Sequence, residues 1–368
     1  MIKGALFLPK KIKLNKNSEF FISIAKKGIH SFMMLGVVAP DGTNHLLARV
    51  GKSNDIDPDY GQTAKKVIVM AGKAIVSYTQ ARLADEGIAR YTGSDKISYQ
   101  AYSINYNQAV DFLHLIREIE VKQTPNNPHD TRAITALIPV MEKGDDVFFE
   151  HKHLCDLKSR DKPNGQAEHL AQQVSTITAG NTCRTSALNM VEAILGFATK
   201  VSKFFFVSPK YKTTLDLGLP NKDSFYILPP PPKTYDTLPA SQQKVLMNLY
   251  KQMEAIPEKN PNSLETRNKF NAVKDLYKKI AGENKLNANE LLVKIIDHEA
   301  KNEQALHAKR NPGFLSQLLG LKSDTEKTFG KIKRELQSLK ACIKSDKAPE
   351  QSETLEQEEN IGSASQKK

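Results

Sequence analysis

The sequence predicts an α+β fold, and three observations carry that expectation. Up to about residue 230 the chain mixes strand-like apolar runs with segments of helical spacing. The four-proline run Pro229–Pro232, stiff and extended, then marks a boundary, and beyond it the periodic segments are all helical. From Asp346 onward only Leu355 and Ile361 are aliphatic side chains larger than alanine, too little to build a core. The expected organisation is an α+β domain over 1–230, a helical domain over 235–345 and a disordered tail over 346–368. A length of 368 residues suits two domains.

Within the first part, Ile29 to Val38 is an almost unbroken apolar run, as in a central strand. Pro40-Asp41-Gly42 signals a turn and His45 to Val50 a second strand, so 29–50 reads as a β-hairpin. Lys65 to Val76 fits strand or helix, with a strand favoured at Val67 to Ala71. Ile97 to Ile104 alternates like a strand, and Asn107 to Glu120 places Val110, Leu113 and Ile116 at helical spacing. Asn126 to His129 reads as a loop, Ala133 to Val140 fits either element, and 143–165 reads as a long polar connection. Phe204 to Val207 and Tyr226 to Leu228 are expected as late strands.

After the prolines, helices are expected near 240–256, 263–282, 288–309 and 314–344, broken at Pro257, Pro261 and Pro312. In the last of them Phe329, Ile332, Leu336, Leu339 and Ile343 step by three and four, a coiled-coil-like stripe. Such helices, charged outside their stripes, fit an antiparallel bundle or hairpin.

No run approaches the roughly 18 apolar residues that a membrane helix needs. In the first sixteen residues a short apolar stretch, Ala5 to Leu8, is followed by four lysines, the reverse of a secretory signal, so no cleaved signal is expected. The formal charge of +12 is spread along the whole length, aromatic content is 7% and there is no Trp. That distribution argues against specific nucleic-acid binding, which needs basic residues interleaved with stacking aromatics. Weak attraction to anionic membranes or acidic partners remains compatible with it. Nothing in the sequence sets the oligomeric state.

Three cysteines, Cys155, Cys183 and Cys342, are too few and scattered for a disulfide framework and suit a reducing compartment. None are spaced as Cys-x-x-Cys, and His151 and His153 near Cys155 lack an obvious fourth ligand, so neither metal nor cofactor is implied. Cys183 differs from the other two. Asn181 or Thr182 can cap a helix beginning there, and Ala187, Val191, Ile194 and Leu195 continue an inward stripe that includes it. A thiol in a helix's first turn feels the positive end of the dipole, which favours the thiolate, and the free N–H groups beside it can hold an oxyanion. The plain alternative is a small core residue.

A working thiol needs a base. Most of the nine histidines fall in polar or helical stretches, but His30 opens the apolar strand and His45 opens its hairpin partner. An imidazole in a central strand must be hydrogen-bonded, by backbone or by a functional partner.

A strand histidine, a second on the next strand and a downstream cysteine at a helix start after Asn resemble the circularly permuted papain-like enzymes. These include the NlpC-type peptidases and the lecithin–retinol acyltransferase-like enzymes. The resemblance covers about residues 30–200. It implies an antiparallel-sheet papain-like core in which Cys183 is the nucleophile, His30 the base and His45 the residue that orients it. The sequence departs from that pattern in having Thr182 between Asn181 and Cys183, and in the long span from His30 to Cys183. Separately, Ser-Glu-Thr-Leu-Glu-Gln-Glu-Glu before a small-residue, lysine-ended terminus resembles the export signal of type IV secretion effectors of intracellular bacteria. That implies action inside a host cell, whose cytosol is also reducing.

The expected function is thiol-dependent acyl transfer by a cysteine peptidase-like hydrolase or acyltransferase, cleaving a peptide, isopeptide or other amide in a protein substrate or host protein. The alternatives are a non-catalytic interaction protein with an inactive enzyme fold and a partner-binding helical domain, or a lipid acyltransferase or phospholipase.

Overall fold

The computed structural model describes residues 11–54, 79–86, 93–123, 133–161, 165–178, 180–231, 235–308 and 323–345. They form a mixed α+β structure that falls into two compact units. One lies within Met1–Pro230 together with Ile256–Arg267, the other within Pro231–Ala255 and Asn268–Lys368. The expected strand at 67–71, the loop at 126–129 and the tail over 346–368 lie outside the described residues.

The first unit is built on an antiparallel sheet. Its central strands are β2 (Glu19–Lys27), β3 (His30–Val38) and β4 (Asn44–Asn54). Seven consecutive residues of β3 are buried, as its continuous apolar run requires of a strand covered on both faces. The hairpin joining β2 to β3 turns on Gly28 and Ile29. Gly28 takes φ +58°, the left-handed conformation that such two-residue turns demand. His30 therefore stands at the very end of the sheet, beside a tight turn.

On one side of β2 lie β6 (Ser94–Ile104), β10 (Tyr211–Asp216) and the short β11 (Leu219–Pro220). Beyond β4 lie β5 (Thr79–Asp85) and β9 (Thr176–Ile177), while β12 (Ile227–Leu228) joins β6 in parallel. This makes nine strands among the described residues. The sequence-based expectations omit β2, although Phe20 to Ala25 are all buried.

A second sheet pairs β1 (Lys11–Asn15), β8 (Asp146–His153) and β7 (Thr135–Lys143). Here the structure corrects an expectation, because 143–165 is not one polar connection. Val147 and Phe149 alternate inward and are buried, so a half-buried strand forms inside a polar stretch. Phe204 to Val207 is likewise not a strand. It is a turn in which the Val207 N–H donates to the Phe204 carbonyl at 3.1 Å.

Among the described residues three α-helices belong to this unit: α1 (Tyr106–Gln123), α2 (Ala167–Val174) and α3 (Cys183–Leu195). Helix α3 packs on β3, β4 and β2, and its stripe of Ala187, Val191, Ile194 and Leu195 is buried.

The second unit is helical: α4 (Ala240–Ala255), α5 (Leu264–Ala281, from Asn268 on), α6 (Ala288–Lys301), α7 (Glu303–His307) and α8 (Asp324–Ser345). The helix expected over 288–309 breaks at Asn302. On α8, Phe329, Ile332 and Leu336 are buried while Leu339 is exposed, so the stripe serves as a core face for part of its length. No helix among the described residues is long and apolar enough to cross a membrane.

Candidate active site

Cys183 is the first residue of α3. Thr182 is the cap, its Oγ1 accepting from the Thr185 N–H at 3.3 Å. Its carbonyl accepts from the Ser186 N–H at 3.1 Å. The N–H groups of Cys183 and Arg184 belong to the positions that a helix leaves without intrahelical acceptors. The thiol reaches the start of β3, where the Ser31 N–H donates to Sγ at 3.4 Å.

The His30 ring and the Cys183 thiol lie close enough for each to shift the pKa of the other, so the structure brings these two expected residues together. The other partner of the ring is Glu86, one residue past the end of β5, whose Oε1 lies 2.6 Å from Nε2. With Nε2 engaged there, Nδ1 is the ring nitrogen left for the sulfur.

His45 stands elsewhere. It pairs with Val37, seven residues along β3 from His30, a separation of roughly 23 Å at the usual strand rise. It sits near Asp41 of the turn, and burial lowers its pKa against the pull of that carboxylate. The position the sequence reading gives to His45 is held by Glu86. No local pattern singles out Glu86, which is one carboxylate in the charged run Asp85-Glu86 and reaches His30 only because β3, β4 and β5 are neighbours.

The backbone between the two partners is cut close. Gly51 lies on β4 opposite Phe32, and an added Cβ there would stand 2.2 Å from Glu86 Oε1 and 2.9 Å from His30 Nε2. Only glycine leaves room for the carboxylate to lie against the ring.

These contacts set the charges. Burial works against a charged His30, but the Glu86 carboxylate and the hydrogen bonds to Cys183 and Glu86 outweigh it and raise the pKa to about 10. Burial likewise opposes a charged Cys183, yet His30 and the Ser31 N–H bring the thiol below its ordinary value. Burial also opposes the Glu86 carboxylate, and His30 carries its pKa down regardless. All three shifts favour a thiolate beside an imidazolium, backed by a carboxylate.

Three further cations interact electrostatically with the Cys183 thiolate: Lys26, Lys52 and Arg184. Lys52 is buried, and desolvation lowers its pKa to about 7. Its Nζ donates to the Gln173 and Asn181 carbonyls at 2.8 and 3.1 Å, to Asn181 Oδ1 at 3.0 Å and to Ser186 Oγ at 3.2 Å. Asn181 in turn donates through Nδ2 to the Gln173 and Thr176 carbonyls at 2.6 and 3.0 Å. Asn181 is therefore not the helix cap but the knot that ties the approach to α3 onto β4.

Cys155 differs in every respect. It is exposed, and slight desolvation of its thiol together with the Asp156 carboxylate raises its pKa. Among the described residues no group of three or more His, Cys, Asp or Glu side chains is placed to hold a metal ion. No protein-family model matches the chain, and neither a curated protein nor a solved structure matches it significantly.

Proposed function

We propose that the chain is a thiol-dependent acyl-transfer enzyme of the permuted papain-like kind, with Cys183 as nucleophile, His30 as acid and base, and Glu86 as the orienting group. The observation that carries this reading is the contact of His30 with Cys183 on one side and with Glu86 on the other. Core filler does not require a strained-for-space carboxylate, a charged ring and a capped helix start to converge on one sulfur.

The thiolate adds to the carbonyl carbon of an amide, ester or thioester, and the electron pair of the C=O bond moves to oxygen. The N–H groups of Cys183 and Arg184 at the helix start are suited to hold that oxyanion. As the tetrahedral species collapses, the His30 imidazolium gives its proton to the leaving amine, alcohol or thiol. Water or another acceptor, deprotonated by His30, then releases the acyl group from sulfur and restores the thiolate. Glu86 keeps the imidazole ring in line and stabilises its charge throughout.

The test is selective alkylation at pH 6 with iodoacetamide, joined to hydrolysis of an activated ester such as p-nitrophenyl acetate. Cys183 is expected to react at least about ten-fold faster than Cys155 and Cys342, as a low-pKa thiol does. His30→Ala should slow the labelling, and Cys183→Ala should abolish the pre-steady-state burst from the ester. Equal labelling of all three thiols, or a burst that survives Cys183→Ala, would return Cys183 to a structural role and favour the interaction-protein reading.

A further inference from the structure

Next to the nucleophile the first unit carries a surface that the reaction above does not use. The turn at 202–208 displays Phe204, Phe206 and Val207 with 75%, 72% and 51% of their surface exposed. Leaving two neighbouring phenylalanines in water forgoes about 2–3 kcal/mol each of burial. The turn is nonetheless fixed rather than loose. Arg184, the residue after the nucleophile, is fully buried and donates through Nη2 to the Val207 carbonyl at 3.1 Å. Lys26, at the end of β2, donates to the Phe206 carbonyl at 3.0 Å and to Ser208 Oγ at 3.4 Å. Two buried cations thus hold the backbone so that the apolar side chains point outward.

The flanks of this apolar tip are basic. Lys200, Lys203, Lys210 and Lys212 surround it in sequence and are exposed, Lys210 lying 3.5 Å from Glu258. Directly behind Ser208 opens a pocket of about 480 Å³. Its floor is a row across three strands, Lys26 beside Ser98 beside Lys212, with the pair Lys96 and Thr214 next to it. None of the described residues lining it is acidic.

We propose that this turn and the lysine pocket behind it dock the protein on bilayers containing anionic phospholipid. Phe204, Phe206 and Val207 enter the boundary between headgroups and acyl chains, as exposed aromatic residues flanked by lysines do at interfaces. The pocket receives a lipid phosphate between Lys96 and Lys212, and the other lysines meet the negative surface. The commitment to a membrane rests on that pairing, because an apolar tip alone fits many partners, whereas one ringed by lysines complements a negatively charged bilayer. Because Arg184 joins the turn to the helix that bears Cys183, docking brings the nucleophile to membrane-attached substrates. Only this last consequence rests on the thiol-enzyme reading; the docking does not.

The experiment uses the full chain and sedimentation with vesicles of phosphatidylcholine alone or with 30% phosphatidylserine at about 0.1 M salt, where charge attraction still acts across a Debye length. The natural protein should pellet with the anionic vesicles and not with the neutral ones. The double variant Phe204→Glu with Phe206→Glu should lose about ten-fold or more in binding, as should Lys96→Glu with Lys212→Glu. Cys183→Ala should bind like the natural protein, so a failure of docking and a failure of the catalytic reading are separable. The chain has no Trp, so Phe204→Trp adds a single fluorophore whose emission should shift to the blue with anionic vesicles. No pelleting with anionic vesicles, full binding by the double Phe variant, or an unshifted Phe204→Trp spectrum would each overturn the proposal.

Discussion

Glu86 Oε1 lies 2.6 Å from Nε2 of His30, and this carboxylate holds the ring charged up to about pH 10. The first prediction removes that charge while keeping the shape. Glu86→Gln should let the His30 pKa fall towards or below its ordinary 6.5, since burial then acts with less opposition. Cys183 then loses its cationic partner near neutrality, and its labelling profile should move to higher pH. Ester turnover should drop on the order of 10⁴-fold, the loss that follows when an orienting carboxylate is neutralised.

The same pair has a sign in stability. Glu86 is depressed below 4.5, so its contribution is present above that value and is lost as pH falls. His30 is raised from 6.5 to about 10, so its contribution is complete below 6.5 and is lost as pH rises through 10. Urea melts should show the natural protein exceeding Glu86→Gln most between about pH 5 and 6.5, with the excess shrinking as pH rises further. A difference that is flat across pH would mean the pair is not charged.

Gly51→Ala is the second variant. A methyl group 2.2 Å from Glu86 Oε1 cannot stay there, so the carboxylate must leave the ring. Displacing a catalytic group by about 1 Å is worth roughly 10²-fold in rate. Overpacking should cost about 1–3 kcal/mol of stability, read from the same melts. Because Gly51 is buried, retained activity in this variant would show that Glu86 is dispensable.

A third prediction concerns Lys52, whose folded pKa is about 7 against an ordinary 10.5. Between those values the folded protein has released a proton that the unfolded chain keeps, so the group's contribution becomes more favourable as pH rises. Compared with Lys52→Met, the natural protein should gain on the order of 3–4 kcal/mol in relative stability from pH 7 to 10. Equal slopes for the two proteins would place Lys52 in solvent.

The cap supplies a fourth. Thr182→Ala removes the acceptor for the Thr185 N–H and should cost about 1 kcal/mol in thermal or urea unfolding. Fraying the first turn of α3 also loosens Cys183, so iodoacetamide labelling at pH 6 should slow in the same variant. An unchanged midpoint with unchanged labelling would mean that the turn is held from Asn181 alone.

What the sequence alone determined was local. The apolar run of β3, the turn at Pro40-Asp41-Gly42 and the inward stripe of α3 are periodic patterns, and each formed the element its period dictates. Cys183 was legible for the same reason, because a cap and a stripe fix a helix start to within a residue. His30 was legible because a polar ring opening an apolar strand is costly without a partner. Which partner it takes is not written locally. His45 and Glu86 are both polar residues near strand ends, and only strand order and register tell them apart. The hairpin sends His45 to the far end of β3, while the return through β4 to β5 delivers Glu86 beside His30, 56 residues away in sequence. Phe204 to Val207 failed for a related reason. An apolar run reads as a strand until a sheet edge is needed to receive it, and here the buried cations Lys26 and Arg184 bind its carbonyls instead. Long-range pairing and the competition for backbone hydrogen bonds were decided by the tertiary structure, because neither depends on the order of neighbours along the chain.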